Sequence, residues 1–64
     1  MEYKFISHKV YVLKCLHAQD GGEDILGVYT NSQLALDKLD KCDEYGAHMD
    51  IYNGDTGKRV KTIR

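Results

Sequence analysis

Residues 9–17 read Lys9-Val10-Tyr11-Val12-Leu13-Lys14-Cys15-Leu16-His17, and this stretch decides the fold. β-Branched, aromatic and aliphatic residues dominate it, which marks a strand. Side chains alternate along a strand, so Tyr11, Leu13 and Cys15 share one side and Val10, Val12 and Leu16 the other. Both sides are apolar. A single helix can cover only one of them, so the other is left in search of a partner. The strand is read as reaching back toward Tyr3, with a break around Ser7.

Working outward, Gln19-Asp20-Gly21-Gly22-Glu23 supplies the glycines of a hairpin turn, and Asp24–Tyr29 (DILGVY) is the returning strand. Thr30-Asn31-Ser32-Gln33 opens a helix, with Thr30 as N-cap and Gln33 completing a capping box. Ala35, Leu39 and Cys42, with Leu36 beside them, form an apolar stripe opposite Gln33, Asp37, Asp40 and Glu44. That stripe implies about fourteen residues of helix, ended by Gly46 in the left-handed conformation. Two more strands, His48–Asn53 and Lys58–Ile63, flank the turn Asn53-Gly54-Asp55-Thr56-Gly57. The fold class is therefore α+β. An antiparallel four-stranded sheet, ββαββ in order 2-1-3-4, carries one helix packed on one face.

Turn lengths give a register. A two-residue loop at Gly21-Gly22 sets Cys15 opposite Val28 and Leu13 opposite Thr30. A four-residue loop, 54–57, sets Ile51 opposite Val60 and Met49 opposite Thr62. The uncharged face beneath the helix is then Tyr11, Leu13, Cys15, Leu26, Val28, Met49, Ile51 and Val60, with Leu13, Leu39 and Ile51 fully buried. The opposite face pairs Asp50 with Lys61 and Tyr52 with Arg59. It also carries Val10, Val12, Leu16, Ile25 and Tyr29 around Lys14, an apolar patch to be covered by a second copy, by another protein or by the N-terminal segment Tyr3-Lys4-Phe5-Ile6 folding over it.

Sixty-four residues, 42% of them hydrophobic, make one folded domain, 1–64, with no room for a nucleotide-binding domain or a barrel. The net charge of −1 excludes a polybasic tail. Charge is nonetheless segregated: residues 1–14 sum to +2, 15–57 to −7 and 58–64 to +4. The longest apolar run, Val10–Leu13, is four residues, against the roughly 7–15 of a secretory core and about 20 of a membrane span. The expected location is the cytoplasm, without membrane contact. Cys15 and Cys42, 27 residues apart, are expected to be buried free thiols. Neither Cys15 with His17 nor Cys42 with His48 has zinc-type spacing, so no metal is expected.

The remaining polar residues have plain structural readings. His8, His17 and His48 sit at strand ends. Asp20, Glu23 and Asp24 form a solvated hairpin tip without the spacing of a calcium loop. Gly21-Gly22 and Gly54–Gly57 lack the lysine and helix start of a phosphate loop. No nucleophile has a base beside it, and no catalytic residue or cofactor is expected.

Lys9-Val10-Tyr11-Val12-Leu13, a polar turn, Gly27-Val28-Tyr29, a Ser/Thr-type cap and Ala35 near the start of a helix together resemble a loose group of short proteins. They come mainly from bacteriophages, prophages and bacteria, and have no assigned function. The resemblance covers residues 9–39. In that group an acidic extended segment follows the helix, whereas here Lys58, Arg59, Lys61 and Arg64 make the C-terminal hairpin basic. The resemblance implies an intracellular, phage-linked, non-enzymatic small protein.

The expectation is a binding protein of phage or mobile-element type. It would dock on a host protein in the bacterial cytoplasm and modulate or inhibit it. The contact residues would be Val10, Val12, Lys14, Leu16, Tyr29, Tyr52, Arg59 and Lys61, with Tyr29, Tyr52 and Arg59 as anchors. A homodimer is expected, with Val12 near its symmetry mate. The alternative is a regulatory protein that stacks single-stranded nucleic acid on the open sheet face, with Lys14, Arg59 and Lys61 on phosphates.

Overall fold

β-Branched and aromatic residues at period two build four strands, and one capped apolar stripe builds the helix between the second and third. The elements are β1 (Lys9–Leu16), β2 (Glu23–Tyr29), α1 (Ser32–Asp40), β3 (His48–Asn53) and β4 (Arg59–Ile63) in a computed structural model that describes residues 8–17 and 19–64. The readings of β structure back to Tyr3 and of Tyr3-Lys4-Phe5-Ile6 as a cover for the open face lie outside the described residues. The strands pair antiparallel in the order β2-β1-β3-β4, the ββαββ arrangement read from the sequence. β1, apolar on both sides, takes an inner position with β2 and β3 as neighbours.

α1 lies across one face, over β1 and β2. Leu13, Ala35, Leu39, Ala47, Met49 and Ile51 form the core, and Tyr11, Tyr29, Cys42 and Ile63 pack against it. Leu13, Leu39 and Ile51 are buried, as their positions in the pattern required. Cys15 is buried and Cys42 half-buried, both as free thiols.

Both outer strands carry a bulge, and each bulge changes which side chains face the helix. In the first hairpin the His17 amide donates to the Gly22 carbonyl at 2.7 Å, so the turn lies between His17 and Gly22, not at Gly21-Gly22 alone. Cys15 therefore opposes Asp24 rather than Val28. Leu26 is then an extra residue: Lys14 pairs with Ile25 but Leu13 with Gly27. One inserted residue flips everything beyond it. Val28 consequently pairs with Val12 on the open face, and Tyr29 pairs with Tyr11 beneath the helix. Gly27 makes room for this. A Cβ there would stand 2.5 Å from the Tyr29 hydroxyl, so the tyrosine ring lies across the bare glycine backbone. The expected placement of Val28 and Leu26 in the core, and of Tyr29 on the open face, is thus reversed.

The second hairpin has the expected turn, with Asn53 N–H on the Lys58 carbonyl at 2.8 Å and Tyr52 opposite Arg59. Val60 is then the extra residue, so Ile51 meets Lys61, Asp50 meets Thr62 and Met49 meets Ile63. Val60 is exposed rather than beneath the helix, and Ile63 takes its place against the core. Lys61, expected opposite Asp50, shares the helix side with Ile51.

The helix spans nine residues, not about fourteen. Its N-cap is Asn31, whose Oδ1 accepts from the Leu34 amide at 3.0 Å, so the residue three past the cap is Leu34 and no reciprocal box with Gln33 forms. At the other end Cys42 N–H bonds the Leu39 carbonyl at 3.1 Å, a tightened last turn. The chain then leaves the helix axis because the Tyr45 carbonyl accepts from the Leu16 amide at 2.8 Å, which ties this segment to the end of β1. Gly46 (φ 64°) serves that turn rather than the helix end, and a Cβ there would meet Leu16 at 2.7 Å.

Candidate binding face

The face of the sheet away from α1 holds most of the residues that sequence reasoning proposed for contact. Val12 lies between Val28 on β2 and Asp50 on β3, Val10 opposes Tyr52, and Lys14 is flanked by Ile25 and His48. Thr62 and Arg59 complete the face from β4. Exposure is uneven across it. Ile25 and Val28 are 66% and 59% exposed, whereas Val12 is only 9% exposed between its neighbours.

The centre of the face is a closed polar network. Lys14 Nζ donates to Asp50 Oδ2 at 2.8 Å and to the Tyr52 hydroxyl at 3.2 Å. Thr62 Oγ1 donates to Asp50 Oδ1 at 2.6 Å. The ammonium also sits 5.7 Å from the centre of the Tyr52 ring. Asp50 is 4% exposed. Burial pushes its carboxyl up, but the hydrogen bonds from Lys14 and Thr62 outweigh burial and hold it below its ordinary value. The hydrogen bond to Asp50 raises Lys14, and Tyr52 adds to it. Both directions favour the ionised pair.

A second group of charges sits at the β1–β2 turn end. His48 Nε2 lies 3.0 Å from Glu23 and its Nδ1 lies 2.7 Å from the Gly46 carbonyl. His17 bridges Asp24 and Asp20, with Nδ1 at 3.2 Å from Asp20. The Asp24 bond first, and then Asp20, raises the His17 pKa. The Gly22 amide and His17 lower that of Asp20. These side chains hold the hairpin. Among the described residues no group of three His, Cys, Asp or Glu side chains is placed to hold a metal ion. Burial pushes the Cys15 thiol up, away from reactivity.

Of the proposed contact residues, Val10, Val12, Lys14, Tyr52 and Arg59 share the open face. Tyr29 and Lys61 lie on the helix side, for the bulge reasons given above. Leu16 lies against Gly46 at the end of the sheet, where it lines a shallow groove with Glu44, Ala47, His48 and Arg64. Val12 is too enclosed by its own sheet to serve as the centre of an interface. Val28 and Thr62 are on the face without having been expected there, and Asp50, expected there opposite Lys61, stands opposite Thr62 and pairs with Lys14 instead. A signal for the pairing was present: Lys14, the lysine in the middle of β1, and Asp50, the aspartate in the middle of β3, each need a partner inside a sheet, and they are each other's.

Comparison with protein-family models, curated proteins and solved structures returns no match for the chain. No helix among the described residues is long and apolar enough to cross a membrane.

Proposed function

We propose that the chain is a small non-catalytic binding module of phage or mobile-element type. It docks on a bacterial host protein through the helix-free face and modulates or inhibits that protein, without a cofactor. The observation that carries this reading is the exposure of Ile25 and Val28 on a face whose centre is already internally satisfied. Exposed apolar side chains grouped on one face of a small domain are a contact signature. Val10 and Tyr52 continue the patch, and Arg59 supplies a cation at its margin. Lys14, Asp50 and Thr62 make the surface rigid, which lowers the entropy lost on docking.

The nucleic-acid alternative draws less support from this face. Lys14 is committed to Asp50, while Tyr29 and Lys61 are on the other side of the sheet. Arg59 is left as the proposed phosphate contact.

The test is capture from a bacterial lysate on immobilised chain, read by mass spectrometry. The reading expects a host protein retained by the wild type and by Val60→Lys, and lost with Ile25→Lys. It is contradicted if no retained protein depends on Ile25. Retardation of a single-stranded oligonucleotide with a steep salt slope would instead favour the alternative.

A further inference from the structure

We propose that the helix-free face packs on the same face of a second copy, so that β2 and β1 of one copy stack on β2 and β1 of the other. This rests on the reading of that face as a contact surface, and it makes a second copy the resting occupant that a host protein must displace. Charge is the first argument. At the centre Lys14 and Asp50 neutralise each other at 2.8 Å, and toward the end of the sheet the Glu23 carboxylate has a hydrogen-bond partner in His48 at 3.0 Å. No buried side-chain nitrogen or oxygen among the described residues lacks a hydrogen bond. A second sheet can therefore close over the centre without stranding a charge, which is the usual penalty for covering one. A strongly charged partner, by contrast, meets no free countercharge there.

The layout of the face is the second argument. Ile25, Val28, Val12 and Val10 occupy its β2–β1 half, and Asp50, Tyr52, Thr62 and Arg59 its β3–β4 half. A twofold axis running across the strands superposes like on like, apolar half on apolar half. The same axis reverses strand direction between copies. Arg59, beside the β3–β4 turn, then falls at opposite ends of the two sheets and meets no like charge. Area is the third argument. Four strands spaced by about 4.8 Å, with about six residues at about 3.3 Å each, make a face of roughly 19 by 20 Å. With its side chains standing out, that face offers accessible area on the order of the 600 Å² per partner that a specific interface needs. With that axis over the cross-strand row of Val28, Val12, Asp50 and Thr62, the exposed Val28 rather than the enclosed Val12 meets its own mate.

Sedimentation equilibrium over a concentration series tests it on the full chain. The wild type should rise from 7.3 kDa toward twice that mass and no further. Val28→Lys replaces an exposed side chain, leaves the monomer folded by circular dichroism, and should weaken association at least about tenfold, the cost of introducing like charges into an apolar contact. Val60→Lys, equally exposed but off the apolar half, should leave it unchanged. The proposal is overturned by a wild type that stays at 7.3 kDa up to about 1 mM, a concentration at which only contacts worth less than about 4 kcal/mol go unseen. It is also overturned by a dimer indifferent to Val28→Lys, by one weakened equally by Val60→Lys, or by growth past the dimer. A monomeric wild type whose capture of a host protein still depends on Ile25 would sink the dimer and leave the docking reading standing.

Discussion

Asp50 and Lys14 show how a single residue pair shapes this face. Asp50→Ala would leave the Lys14 ammonium without its carboxylate in a largely enclosed site. Breaking a buried pair costs about 3–5 kcal/mol, but the lysine can bend toward water, so a loss of about 2–3 kcal/mol is expected in urea unfolding. Replacing both, as Lys14→Met with Asp50→Val, should recover most of that loss, because no charge is then stranded. The sign of the pH dependence follows from the two directions. The folded Asp50 pKa lies below its ordinary 3.8, so its contribution is present above pH 3.8 and is lost as pH falls through the folded value. Lys14 lies above its ordinary 10.5, so its contribution is present below pH 10.5 and is lost as pH rises through the folded value. Between those limits the pair should contribute a flat plateau in a stability profile. His17 behaves as Lys14 does, nearer neutrality: its share is present below pH 6.5 and disappears above its raised folded pKa. An NMR titration should place His17 above 6.5, and Asp24→Asn should bring it back down.

At the scale of elements, the strands, the single helix and their order were legible because each has an uninterrupted pattern. β1 is apolar throughout, α1 has a stripe, and each turn has its glycine. Leu39→Ala should cost about 2–5 kcal/mol in thermal unfolding, since Leu39 is buried in the core between helix and sheet. Asn31→Ala should cost about 1 kcal/mol and Thr30→Ala far less, which separates the observed cap from the one the sequence suggested. The two bulges were not legible. Neither Leu26 nor Val60 differs in type from an ordinary strand residue, and alternation counted from a turn assumes one residue opposite one. A weaker signal did exist in Gly27-Val28-Tyr29. A glycine two before a tyrosine offers the ring a seat on that side of the strand, and that seat turns out to be the helix side. The end of the helix was misread for a different reason. Its apolar stripe continues to Cys42, but the bond between Leu16 and Tyr45 pulls the chain away first, a tertiary contact that periodicity does not encode.

For the whole molecule, one nine-residue helix covers one side of a four-stranded sheet, and no second helix among the described residues lies on the other. The bulge at Leu26 decides what that side offers. It turns Tyr29 inward to the core and Val28 outward, which removes an aromatic anchor from the face and adds an aliphatic one. The proposed docking and the proposed pairing of two copies both depend on this inversion. It is tested by the melting temperatures of Val28→Lys and Tyr29→Lys, compared with the wild type. At concentrations dilute enough for the chain to be monomeric, the inverted register predicts that Val28→Lys melts within about 3 °C of the wild type, while Tyr29→Lys, which puts a charge beneath the helix, melts lower by about 10 °C or more. A Val28→Lys that melts far below the wild type beside a tolerated Tyr29→Lys would return Val28 to the core and contradict the account.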